Sequence, residues 1–360
     1  MPPRTLVARA PAAALSPFVR LSPVTTQHTP AGMLGLGMTT MQKIRVLLLL
    51  CLLPLAPTLG KRGYVGWRAV QGVWAQGQLS PRDADLRAAT QAVRPLCVPV
   101  GEPQAGDWRA TVIQPAQSFA QYVLSQPVQP TIERNTIYVV PLGEFSAEQW
   151  RIVDLSVEFL GLYFDCPTQL LPAVGADLVP NHARRIHPGH GEEQFCSAWV
   201  HGQFLQGRLP ADAAVCIALT ATDLWPGGNT NFVFGQASLK DRTGVWSMAR
   251  YGDPSINEAG FVECLRRTLK TASHETGHMF SMEHCEFYEC NMSGSGSLAE
   301  SDRYPLSLCP ECLAKLQYSL QPDMRARFAA LADFCEREGL MNEADYYRTA
   351  LRLTEPSAEE

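Results

Sequence analysis

The sequence predicts a mixed α/β fold, and three features carry that expectation: a short β-rich run leading straight into a capped helix, further isolated strand-like runs downstream, and one long amphipathic helix bearing paired histidines. Thr136-Ile-Tyr-Val-Val140 is rich in β-branched and aromatic residues and is ended by Pro141-Leu-Gly143. Ser146 with Gln149 forms a capping box, after which Trp150, Val153, Val157 and Leu160 recur at helical spacing. Residues 175–195 read as loop, with His182, His187 and His190 among Pro and Gly; their irregular spacing favours solvent exposure over a metal site. A helix is expected over residues 192–205, a strand over 214–219, and short strands over 232–234 and 245–248. Upstream, a helix is expected over 83–93, followed by a Pro- and Gly-punctuated stretch to about residue 130.

The composition is consistent with that class. An apolar content of 46% with 18% charge supports a hydrophobic core and excludes a wholly disordered chain, while 27 Gly and 27 Pro exclude a single long coiled coil. The net charge of −5 is unevenly spread. Residues 1–82 hold nine Lys or Arg and no acid, leaving 21 bases against 35 acids in the rest, an acidic body unsuited to nucleic acid. Residues 1–60 read as an extension outside the fold: Met41-Gln-Lys-Ile-Arg45 precedes an apolar run over 46–59, and Thr58-Leu59-Gly60 offers small residues for cleavage. A secretory signal from an internal methionine, an acid-poor organelle transit peptide and a non-functional upstream extension are all compatible with it. No other stretch is apolar and long enough to span a bilayer, so the mature protein is expected to be soluble.

His274-Glu275-Thr-Gly-His278 places two imidazoles four positions apart, on one face of a helix and within reach of one ion. Ser255 and Glu258 offer a capping box for that helix, and Phe261, Leu265, Leu269, Ala272 and Met279 form an apolar stripe on its opposite side. His284 follows six residues after His278 and completes a three-histidine set once the chain turns. Three neutral imidazoles suit zinc and leave a fourth position for water, whose pKa such a site lowers toward about 7. Glu275 is then placed to take the water's proton and pass it to the leaving amine. Cys285, Cys290, Cys309 and Cys312 follow as C-x4-C and C-x2-C, the arrangement of a closed structural zinc site, with two disulfides as the alternative. Neighbours in extended chain point to opposite sides, so His284 and Cys285 can serve two different metals.

These residues, together with Met292, resemble the archaemetzincin family of zinc metallopeptidases. The likeness extends to Asp223-Leu-Trp-Pro226, Asn231-Phe-Val-Phe-Gly-Gln-Ala-Ser238, Ala249-Arg-Tyr251 and Pro305-Leu-Ser-Leu-Cys-Pro-Glu-Cys-Leu313, and so covers about residues 136–320. It implies a metzincin-like fold: a mixed twisted sheet, a long zinc-binding helix on the cleft floor, and a small lower subdomain built on the four-cysteine site. It also implies a methionine turn at Met292, a cleft-lining edge strand over 232–238, and action on peptides near their amino end. Two departures stand out. Ser281 occupies the position three after the second histidine where the family has Gly, and a left-handed backbone there costs a non-Gly residue on the order of 1 kcal/mol. The interval between Met292 and Cys309 holds sixteen residues, one fewer than the family pattern.

The expected organisation is an extension over 1–60, an accessory segment over 61–130, the peptidase domain over 131–320 and a helical extension over 321–360. That last stretch reads as two helices within 323–353, parted by Glu338-Gly339. Cys97, Cys166, Cys196, Cys216, Cys264 and Cys335 show no paired spacing, and Tyr251 and Tyr304 read as loop anchors rather than catalytic phenols. The function expected is zinc-dependent peptide hydrolysis with two zinc ions per chain; the alternative is a catalytically silent, zinc-stabilised peptide-binding protein.

Overall fold

Residues 61–355 are described by the structure, a computed structural model. The apolar run over 46–59 and its cleavage site lie outside the described residues. Helix α1 (Lys61–Gln76) is followed by α2 (Pro81–Thr90), where Ser80 caps the N–H of Asp83 and Pro81 sits in the first turn. The helix expected over 83–93 therefore starts two residues earlier, and it tightens into a 3-10 turn over Gln91–Leu96, which contains Pro95. Two short helices, α3 (Trp108–Thr111) and α4 (Phe119–Leu124), complete the upstream segment.

The first strand, β1 (Thr136–Leu142), is buried along its whole length, as befits a parallel strand covered on both faces. The expected capping box at Ser146 and Gln149 opens α5 (Ala147–Phe164), which ends at Asp165 in a left-handed conformation, φ +51°. Strand β2 (Thr168–Leu170) then returns to pair with β1 in parallel. The stretch expected to be loop holds two short strands, β3 (Arg184–Ile186) and β4 (Glu193–Cys196). Accordingly the helix expected over 192–205 begins only at α6 (Ser197–Trp199) and continues as a wider π-helical turn over Val200–Leu205. The cause is tertiary: residues 194–196 pair with a later strand, and Gln194 Nε2 donates to Asp223 Oδ2 at 2.7 Å. His187, expected in solvent, is buried; its Nδ1 accepts the N–H groups of Gly189 and His190, closing the β3–β4 turn, and its ring stacks on His190.

Strand β5 (Ala213–Thr220) lies fully buried between β1 and a later strand, and β6 (Asp223–Trp225) joins β4 and β3 in a small second sheet. The strand expected over 232–234 is displaced to β7 (Gly235–Ala237), antiparallel to β8 (Thr243–Ser247); Val233 makes a single bridge to Leu224 instead. The main sheet has the order β2-β1-β5-β8-β7, parallel except for β7 at the edge.

Helix α7 (Glu258–Met279) crosses beneath this sheet. Its cap is Asn257, whose side chain accepts from Gly260 N–H, and not Ser255, which is bonded to Asp253. Phe261, Leu265, Leu269, Ala272 and Met279 are buried as expected. The chain ends in α8 (Leu298–Arg303), α9 (Pro310–Leu320), α10 (Met324–Arg337) and α11 (Met341–Leu353). Phe328, Leu331, Phe334, Cys335, Ala344 and Tyr347 from the last two helices share one core with α5, α7 and the sheet. The mixed α/β class is thus as expected, with a small cysteine-built part beside α7. Among the described residues no helix is long and apolar enough to cross a membrane.

Candidate active site and metal centres

The last turn of α7 delivers His274 and His278 to one face, with ring centroids 4.6 Å apart and their Nε2 atoms 3.0 Å apart. Phe280 ends the helix, and Ser281 turns the chain in the left-handed region at φ +67°. That turn brings the ring of His284 to 4.7 Å from His278 and 5.3 Å from His274, between centroids. Each Nδ1 faces an oxygen: Asn291 O for His274 and Met282 O for His278, both at 2.6 Å, and Gln114 Oε1 for His284 at 2.9 Å. The hydrogen-bond network therefore assigns the ring proton to Nδ1 in all three and leaves the Nε2 lone pairs to converge.

One nitrogen from each ring lies within 4.8 Å of the others. Two acceptors facing each other at 3.0 Å repel unless a cation sits among them. Around a tetrahedral ion with bonds of about 2.0–2.1 Å, ligand nitrogens stand about 3.3 Å apart, so the donor set fits zinc. Desolvation, then the neighbouring imidazole, depresses His274 to about 3, and desolvation depresses His278 to about 4. His284 is held well below its ordinary value for the same reasons. All three rings are thus neutral at physiological pH, the form a metal requires.

Glu275 is buried beside His274, and burial pushes its carboxyl up to about 8. It lies flat against the backbone of β7: a Cβ at Gly235 would fall 2.6 Å from its Cγ and Oε1, so only glycine admits the carboxylate there. On the other side of the helix, a Cβ at Gly277 would fall 2.6 Å from Met292 Sδ. Met292 is buried beneath the histidine turn, and its carbonyl accepts Cys285 N–H at 2.7 Å. Glu275, His274 and His284 open on a cleft of about 570 Å³ whose apolar walls include Phe232, Phe234 and Trp108. Tyr251 OH is engaged with Thr271 and Tyr304 OH with Glu300, so both phenols serve as anchors.

Cys285, Cys290, Cys309 and Cys312 are buried with their sulfurs within 4.8 Å of one another. Cys285 Sγ and Cys309 Sγ stand 3.6 Å apart, far beyond a disulfide bond of about 2.05 Å and close to the about 3.8 Å edge of a tetrahedron with 2.3 Å zinc–sulfur bonds. The other thiols hydrogen-bond to Cys285 and draw its pKa well down, while burial pushes Cys290 up. A divalent cation would let all four ionise. The disulfide alternative is not what the geometry has, and the six other cysteines among the described residues that sequence left unpaired are free.

The seven residues that the sequence marked as candidate ligands stand together in two clusters, with Glu275 and Met292 beside the histidines, but sequence reasoning missed Gln114 and Trp108. Both lie in the upstream segment, some 170 residues from His284, and carry no motif or periodicity.

Comparison with known proteins places the chain. The model of Peptidase family M54 matches residues 212–318, downstream of Trp108 and Gln114. Archaemetzincin-2 of Macaca fascicularis is 31% identical over 286 residues, spanning 70% of this chain and 78% of its own length. The archaemetzincin of Thermococcus kodakarensis is 32% identical over 197 residues, 52% of this chain and 98% of its own. The crystal structure of the Methanopyrus kandleri archaemetzincin is 29% identical and covers 54% of this chain and 99% of its own, at a TM-score of 0.44.

Proposed function

Because this chain belongs to the archaemetzincin family and is a zinc metallopeptidase, we propose that it cleaves peptides at a zinc held by His274, His278 and His284, with Glu275 as the proton carrier. The observation that carries this reading is the convergence of three Nε2 lone pairs beside a buried carboxyl. Zinc held there supplies Lewis acidity, which acidifies water and polarises the scissile carbonyl. Glu275 accepts the proton of the attacking water and returns it to the departing amine. Burial raises its pKa, and a nearby cation would favour the ionised carboxylate. The exposed edge of β7 offers backbone groups on which an extended peptide can align as a further strand.

Cys285, Cys290, Cys309 and Cys312 would hold a second, structural zinc, giving two ions per chain; their buried tetrahedral spacing supports it. Met292 would form the methionine turn, supported by its contact with Gly277. Cleavage near the amino end of the peptide rests on the family resemblance alone. The acid-free extension upstream of residue 61 is read as a targeting segment, and mass spectrometry of the mature protein should find an amino terminus near that residue.

The departure at Ser281 does not favour the silent binding-protein reading. Ser281 adopts the left-handed conformation and is secured there, its Oγ donating to Leu239 O at 2.7 Å and accepting Val128 N–H at 3.0 Å. The test is turnover of a fluorogenic peptide library by wild type and by Glu275→Gln, each with zinc counted. Activity in the wild type that the substitution removes supports hydrolysis; equal signals, or none from zinc-loaded wild type, would establish the binder.

A further inference from the structure

The three candidate ligands are not held alike. His274 and His278 give their Nδ1 protons to backbone carbonyls fixed by the Met292 loop and by the end of α7. His284 gives its proton to a side chain, Gln114 Oε1, from the segment upstream of β1. That segment grips the loop of the third histidine on both sides. Gln117 is buried and donates from Nε2 to Ser281 O, while its Oε1 accepts Glu283 N–H and Lys315 Nζ at 3.1 and 3.0 Å. Arg109 pairs with Glu286 at 2.7 Å, and Asp107 with Arg303 at 2.6 Å. Between these fasteners Trp108 packs its indole at 64° to the His284 ring, centroids 4.5 Å apart, and lines the cleft together with Phe232 and Phe234. Its backbone N–H is held by both carboxylate oxygens of Glu300, a fully buried acid.

We propose that Gln114 is the positioning residue of the third histidine and that Trp108 forms the cleft wall beside it, so that the segment upstream of β1 is a working part of the active site. This rests on the reading of His284 as a metal ligand. The physical argument is the freedom of that ring. An imidazole on a loop can rotate about its side-chain bonds and swap tautomers, and a single acceptor on Nδ1 removes both freedoms while raising the basicity of Nε2. No backbone carbonyl does this for His284, so its orientation depends on Gln114. The indole edge on one ring face excludes water and blocks the other rotation. A peptide side chain entering the cleft next to His284 then meets Trp108 together with Phe232 and Phe234, an apolar slot selecting aromatic or large aliphatic residues at that position.

The test uses the full chain, stripped at its weaker zinc site and titrated with Zn2+ against a chromophoric chelator, with melting curves as a folding control. His284→Ala should abolish the weaker site and leave the tighter zinc in place. Gln114→Ala should weaken it about 10–100-fold, and Gln114→Glu, which keeps an acceptor for Nδ1, should restore it to within about threefold. If His284→Ala leaves the weaker site intact, the ligand reading itself fails and takes the proposal with it. If His284→Ala abolishes binding while Gln114→Ala matches wild type, the ligand reading stands and the positioning role is overturned. Equal weakening in both Gln114 variants also overturns it, since packing alone would then be lost. For the wall, Trp108→Ala should raise KM for peptides with aromatic side chains more than for those with alanine; equal KM changes across peptides would overturn that half.

Discussion

His284 and Cys285 are joined by one peptide bond, yet they serve clusters of opposite design. The sulfur cluster is sealed: all four cysteines are buried, and the N-terminal turn of α9 carries one of the two pairs. The imidazole cluster is half open, with one side on a cleft of about 570 Å³ and its third member steadied by a distant side chain. A closed site with every valence filled adds folding free energy, whereas an open one keeps a position for chemistry and gives up part of that stability. The difference teaches that the two donor sets, both suited to zinc, are built for separate jobs, so that each should be open to disabling without the other.

The largest effect expected is on the sealed side. Cys312→Ser should abolish cooperative thermal melting, since structural zinc contributes on the order of 10–16 kcal/mol in small zinc-dependent folds. His278→Ala should leave a cooperative melt, read by circular dichroism. A Cys312→Ser protein that melts as wild type would break the comparison, because the sulfur cluster would then hold nothing together. Next comes the open side. Glu275→Gln should lower kcat by about 10²–10⁴-fold with both ions retained. Mild chelation should remove activity together with one equivalent of zinc, while the second stays until the protein unfolds. Simultaneous loss of both ions would show that the two sites are equally open.

Both clusters were legible in the sequence for the same reason: their spacing is local. Two histidines four apart meet wherever a helix forms, and the apolar stripe with a capping residue made that helix plain. Thiol pairs three and five residues apart are likewise brought close by short turns. What escaped was set by long-range pairing. Residues 194–196 carry helix-compatible side chains and became a strand because β6 lay ready to pair with them. His187 was buried by a turn that its own Nδ1 closes. Gln114 and Trp108 sit among Pro and Gly with no periodicity, and their role exists only once residues 107–117 fold against the loop of His284.

A smaller effect separates Glu275 from the imidazoles of the open site by pH once zinc is stripped. Burial raises the folded-state pKa of Glu275 from its ordinary 4.5 to about 8, so its contribution to stability is fully present below about pH 4.5 and is lost as pH rises through 8. The imidazoles run the other way. Depressed to about 3 and about 4 from 6.5, His274 and His278 lend stability above about pH 6.5 that is lost as pH falls toward those values. Zinc-stripped Glu275→Gln should therefore melt near the wild-type temperature at pH 5 and above it at pH 9. Reloading zinc should erase the difference, because the ion favours the ionised carboxylate. A gap that is widest at pH 5 would mean that Glu275 is not buried as a neutral acid.

The smallest effect expected lies at Ser281, on the stretch of chain leading to both clusters. Ser281→Gly relieves a left-handed backbone worth roughly 1–2 kcal/mol. It also gives up the hydroxyl's bonds to Leu239 O and Val128 N, each worth about 0.5–1.5 kcal/mol, and frees the unfolded chain. These terms nearly cancel, so the urea midpoint should move by no more than about 1 kcal/mol equivalent. Ser281→Ala keeps the strain at φ +67° and loses both bonds, so it should fall about 1–3 kcal/mol below wild type, although alanine is closer to serine in size. That loss would identify the serine as a fastener between the histidine loop and the upstream segment. A Ser281→Ala protein as stable as wild type would mean that the hydroxyl's two partners contribute nothing to holding the third histidine.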